Sequence, residues 1–167
     1  MTQLIGDKSR IAVEYSIANQ DKFIGFAKLW LNDSFLGSLS DTIFIDGYLI
    51  GGFNAVLSKK KLSDRYVSDK NDEIYESLNN DILFGEDELY ELAKSYSVNF
   101  GTWSDYFDIY SYRLTDSTGA FLWRLIERND GLKDLIDYPS DVFYETFNYD
   151  ELLKVIEHLN TIKKSQH

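Results

Sequence analysis

The stretch that decides the fold runs from residue 10 to residue 39: RIAVEYSI (10–17), FIGFAKLWL (23–31), the pair Asn32-Asp33, and SFLGSL (34–39). In the first segment Ile11, Val13, Tyr15 and Ile17 alternate with Ala12, Glu14 and Ser16, the period of a β-strand with one buried face. The second segment is apolar on both faces, interrupted only by Lys28, which predicts a strand inside the sheet. Asn and Asp tolerate the backbone of tight turns, so Asn32-Asp33 joins the second strand to a third, Ser34–Leu39, as a hairpin.

Downstream the pattern changes period. From Tyr48, the residues Leu49, Phe53, Val56 and Leu57 share one helical face, and Lys59, Lys60 and Lys61 fall in its expected last turn, where cations suit the helix dipole. Gly51 and Gly52 lie inside this helix and are read as sites of close backbone packing against the sheet. No Lys-Ser/Thr follows them, as a phosphate-cradling loop would require. Residues 63–80 are polar, with one helical turn around Ile74, Tyr75 and Leu78; a clearer helix is expected over Gly85–Tyr96. Asp105–Thr115 and Ala120–Arg128 flank Asp116-Ser117-Thr118-Gly119 and predict a second hairpin. After Pro139 come a strand, Val142–Phe147, and a helix capped by Asn148, with Glu151 placed for a capping box and Leu152, Val155, Ile156, Leu159 and Ile162 as its buried stripe. Strands and helices come in blocks, so the expected class is α+β: a mostly antiparallel sheet with helices packed on one face, in one domain over residues 1–167.

Composition narrows function more by exclusion than by assignment. The absence of cysteine removes disulfides, thiolate zinc sites and thiol nucleophiles. Met1–Ser9 contains no signal-like apolar core, and no apolar run nears the ~20 residues of a membrane span, so a cytoplasmic protein is expected. Asn32-Asp33-Ser34 is then a chance sequon. Of two histidines, His167 is terminal and His158 lies off the apolar stripe of its helix, which leaves nothing from which to assemble a histidine-assisted hydrolase. Asp69-Lys70-Asn71-Asp72-Glu73 opens like an EF-hand loop, but Ile74 and Asn80 replace the glycine and glutamate such a loop needs. No catalytic, metal or cofactor residue is assigned. Trp30 and Trp123 are expected in the core, while Trp103 is equally compatible with core and surface.

Charge is the remaining signal. The net charge is −11, which repels nucleic acid and anionic lipid and attracts a basic partner. Between Asp64 and Glu91, ten acidic residues face two basic ones, with Tyr66, Tyr75, Phe84 and Tyr90 interleaved. The plain reading is a solvated loop and helix face. The functional reading is an interface of carboxylates and aromatics for a basic protein, comprising Asp69, Asp72, Glu73, Tyr75, Glu76, Asp81, Glu86, Asp87 and Tyr90. The hairpin around Asp116 is the alternative surface.

The opening also resembles a known group. The run Ile5-Gly6-Asp7-Lys8-Ser9-Arg10-Ile11-Ala12-Val13-Glu14-Tyr15 is similar to the start of bacterial immunity proteins from contact-dependent inhibition and related polymorphic toxin systems. Gly25-Phe26-Ala27-Lys28-Leu29-Trp30-Leu31-Asn32, Leu36-Gly37 and Ile45-Asp46-Gly47-Tyr48-Leu49-Ile50-Gly51-Gly52 extend the similarity through the N-terminal third. Ile11 departs from it, standing where a bulkier aromatic is expected. The resemblance implies a cytoplasmic, non-enzymatic protein that neutralises a cognate toxin's C-terminal domain by stoichiometric binding. Many such toxins are nucleases, whose surfaces must be basic to hold phosphates. Two other classes stay open: a regulatory or scaffolding domain for a basic endogenous partner, and a carboxylate-dependent metal enzyme.

Overall fold

The computed structural model describes residues 1–165. Its strands form two antiparallel sheets, as an α+β reading requires. The first contains β1 (Gln3–Asp7), β2 (Ile11–Asn19), β3 (Ile24–Leu31) and β4 (Ser34–Phe44) in that order; the second contains β5 (Phe107–Arg113), β6 (Thr118–Leu125) and β7 (Phe143–Asn148). The apolar-on-both-faces segment is an interior strand, β3. It turns into β4 through Asn32 and Asp33, both at positive φ, so that Leu31 pairs with Ser34.

Tyr15, Leu29, Leu36 and Ile43 point from the first sheet into the main core, where Phe121, Trp123 and Phe147 meet them from the second. Alternate residues of the second sheet (Tyr110, Tyr112, Ala120 and Leu122) point the other way, into a separate cluster with Ile74, Leu78 and Ala93. That sheet is therefore covered on both faces, which accounts for the dense aromatics along β5 and β6. A terminal helix, α4 (Tyr149–Ser165), lies against the first sheet. Asn148 Oδ1 accepts from the backbone of Asp150 at 2.8 Å and caps it. Glu151 does not complete a capping box; its carboxylate takes Arg10 instead, with Nε at 2.9 Å.

Several expectations are corrected. β1 lies in the polar N-terminal stretch; only its Ile5 is buried, and the strand exists through its pairing with β2. The first helix begins as a π-helical turn, Ile45–Ile50, and continues as α1 (Gly51–Leu57). Lys59, Lys60 and Lys61 lie beyond it, because the chain leaves to pair with β5: Arg113 N–H donates to Lys60 O at 2.9 Å. Lys59 Nζ donates to the carbonyls of Ser95 and Ser97, both at 2.8 Å, and burial lowers its pKa. Gly52 is a close-packing site, but its neighbour is a ring: a Cβ there would sit 2.4 Å from Phe100. Gly51 has no such constraint. Trp103 belongs to the core, fully buried. Trp30 does not. The register that pairs it with Ala12 turns it to the outer face of the first sheet, where its Nε1 donates to Glu14 at 3.0 Å and the Lys8 ammonium sits 4.4 Å from its ring.

Candidate partner-binding surface

The acidic belt is built on two helices. Where the sequence shows a polar stretch over 63–80 with a single helical turn around Ile74, Tyr75 and Leu78, the structure has a helix of fourteen residues, α2 (Asn71–Phe84). The next helix, α3 (Glu88–Lys94), is shorter than the Gly85–Tyr96 span expected, so Glu86 and Asp87 lie in the corner between the two. α2 escapes recognition because its inward stripe, Ile74, Tyr75 and Leu78, continues with a charged residue, Asp81. Asp69-Lys70-Asn71-Asp72-Glu73 runs into the first turn of this helix, where Asp72 and Glu73 complement its dipole.

Two of the nine proposed contact residues face inward. Asp81 is 8% exposed; it accepts from Tyr66 Oη at 2.7 Å and from Arg65 Nε at 2.8 Å. The Arg65 contact holds its carboxyl below the usual range, and burial together with the Asp81 carboxylate pushes the Tyr66 hydroxyl up to about 12. Tyr75 is 2% exposed, and its hydroxyl donates to Asp108 at 2.5 Å. Burial first, and Asp108 second, push that hydroxyl far above its ordinary value. Both residues tie α2 to the molecule and offer little to a partner.

The other seven are at the surface: Asp69, Asp72, Glu73, Glu76, Glu86, Asp87 and Tyr90. Glu73 accepts from Ser68 Oγ at 2.7 Å, and Glu76 lies 3.5 Å from Arg124 Nη1. Glu86, Asp87, Glu88 and Glu91 make no ion pair among the described residues, so this end of the belt projects undiluted negative charge.

Sequence reasoning missed one contributor. Leu83 is 63% exposed and Phe84 79% exposed at the end of α2, beside those carboxylates. The corner that presents them is fixed: Gly85 N–H donates to Asp81 O at 3.0 Å, and a Cβ on Gly85 would lie 2.4 Å from that oxygen. The available signal was Gly85 itself, a helix-stopping residue directly after two large apolar side chains that the inward stripe does not use.

Elsewhere, His158 is exposed on α4, and His167 lies outside the described residues. Asp116 sits exposed in the β5–β6 turn, with its carbonyl accepting from Arg113. Among the described residues no group of three potential metal ligands converges, and no helix is long and apolar enough to cross a membrane.

Two antiparallel sheets sharing one core, with a helix pair on the outer face of the second, define an α+β fold that presents an acid-rimmed apolar corner at the end of α2. In this fold the chain is similar to CdiI from Burkholderia dolosa AUO158, a contact-dependent inhibition immunity protein. The TM-score is 0.63 and the identity 10%, and the superposition covers 95% of this chain and 99% of that one. No family model matches the sequence, and no curated protein does.

Proposed function

We propose that this chain is an immunity protein that acts inside the cell, binding the C-terminal domain of a cognate bacterial toxin and neutralising it stoichiometrically, without catalysis. The observation that carries the proposal is the likeness to CdiI over nearly the full length of both chains. The resemblance of the N-terminal third to contact-dependent inhibition immunity proteins, read from residues alone, points the same way. So does the exposed acidic surface: Asp69, Asp72, Glu73, Glu76, Glu86, Asp87 and Tyr90 suit a basic partner, with Tyr75 and Asp81 supporting them from within. A nuclease fits this requirement, because carboxylates can occupy the places where substrate phosphates would lie. A pre-folded inhibitor also avoids the entropy cost of ordering itself on contact.

The test is protection. A candidate toxin domain from the neighbourhood of this chain's gene is induced in cells with and without the chain. Survival only in its presence is the expected result, and equal killing in both cultures contradicts the proposal.

A further inference from the structure

A cleft of about 380 Å³ opens between α2 and the 3-10 turn Gly101–Asp105. Leu83 forms its lip, Asn79 and Asn99 contribute polar walls, and its charged lining is Asp105, Asp108 and Lys94. Asp105 is exposed and makes no ion pair among the described residues. Asp108 spends one oxygen, Oδ2, on the Tyr75 hydroxyl. Two carboxylates thus outnumber one ammonium, and along the chain Glu91 precedes Lys94 by one helical turn and the exposed Glu86 and Asp87 come shortly after Phe84. Among the described residues no aromatic side chain is more exposed than Phe84, and it shares the end of α2 with Leu83.

Charge and apolarity together specify the occupant. A solvated inorganic cation would meet the carboxylates but leave Leu83 and Phe84 in water. A nucleic acid or an anionic lipid surface is repelled by the acids. A protein presenting a lysine or arginine next to an apolar patch satisfies both features. We propose that the toxin domain anchors at this cleft, inserting one basic side chain between Asp105 and Asp108 while Leu83 and Phe84 cover the apolar surface beside it. This rests on the immunity reading above and moves the centre of the interface from the middle of the acidic belt to its edge, onto Leu83, Phe84 and Asp105. Burying a large apolar side chain and a charge pair at the centre of an interface is what concentrates binding energy in a few residues.

The experiment uses the intact chain and the toxin domain encoded beside its gene, with affinity measured by calorimetry at two salt concentrations. Asp105→Lys is compared with Asp21→Lys, an equal change of charge in the exposed β2–β3 turn, with Asp105→Asn as its milder version, and Leu83→Ser removes the apolar lip without altering charge. Thermal melts show that each variant folds. The expected result is a loss of about tenfold or more for both cleft positions. Binding of Asp105→Lys also becomes less salt-sensitive, and Asp21→Lys stays near wild type. If the cleft variants bind like wild type, or Asp21→Lys loses as much as they do, the cleft is not the anchor although the immunity reading stands. Failure of the wild-type chain to bind overturns both.

Discussion

The Tyr66 hydroxyl donates to the Asp81 carboxylate at 2.7 Å, so the loop that precedes α2 is fastened to the last turn of that helix. Arg65 closes the same carboxylate from the solvent side. Replacing Asp81 with asparagine removes the anion and weakens both bonds at a buried site. A loss of about 1–3 kcal/mol in denaturant unfolding is the expected outcome.

The same pair carries a pH signature. The folded pKa of Asp81 is depressed, so its contribution is fully present above the ordinary aspartate value of about 4 and is lost as pH falls through the folded value. Urea midpoints measured from pH 6 downward should therefore decline more steeply in acid for the wild type than for Asp81→Asn. Parallel curves would show that Asp81 titrates alike in the folded and unfolded chain.

Gly52 lies where α1 passes the Phe100 ring, itself fully buried and packed edge-on against Phe53. A methyl group cannot enter without displacing the ring. Gly52→Ala is expected to destabilise the protein by about 1–3 kcal/mol, despite the better helix propensity of alanine. Gly51→Ala, whose Cβ would meet little, is expected to be neutral or mildly stabilising. Thermal unfolding of the two variants side by side makes the comparison.

Glu86 and Asp87 project charge from the corner and make no ion pair among the described residues. Reversing both to lysine should slow association with the proposed toxin partner about tenfold and flatten its dependence on salt, with a thermal melt showing that the variant folds. Stopped-flow rates at low and moderate ionic strength read this directly.

Those parts of the fold that local physics determines were legible in advance. Asn32-Asp33 marked a hairpin because these side chains tolerate positive φ, and the two apolar faces of residues 23–31 placed that strand inside its sheet. The stripe from Leu152 to Leu159 marked α4. Elements that depend on partners distant in sequence were not legible. β1 buries one side chain and is held by β2, and α2 hides behind Asp81, an inward-facing charge that makes sense only once Arg65 and Tyr66 reach it. The same limit applies to the site. Its acidity could be counted from composition, but the inward turn of Tyr75 and Asp81 and the outward turn of Leu83 and Phe84 follow from how α2 packs on the second sheet.

The central proposal, neutralisation of a toxin by one-to-one binding, is tested most directly by titrating this chain into a fixed amount of the proposed cognate toxin domain while following that domain's activity. Activity should fall linearly and reach zero at one equivalent. Activity that persists at large excess, or that disappears at a small fraction of an equivalent as a catalyst would cause, contradicts it.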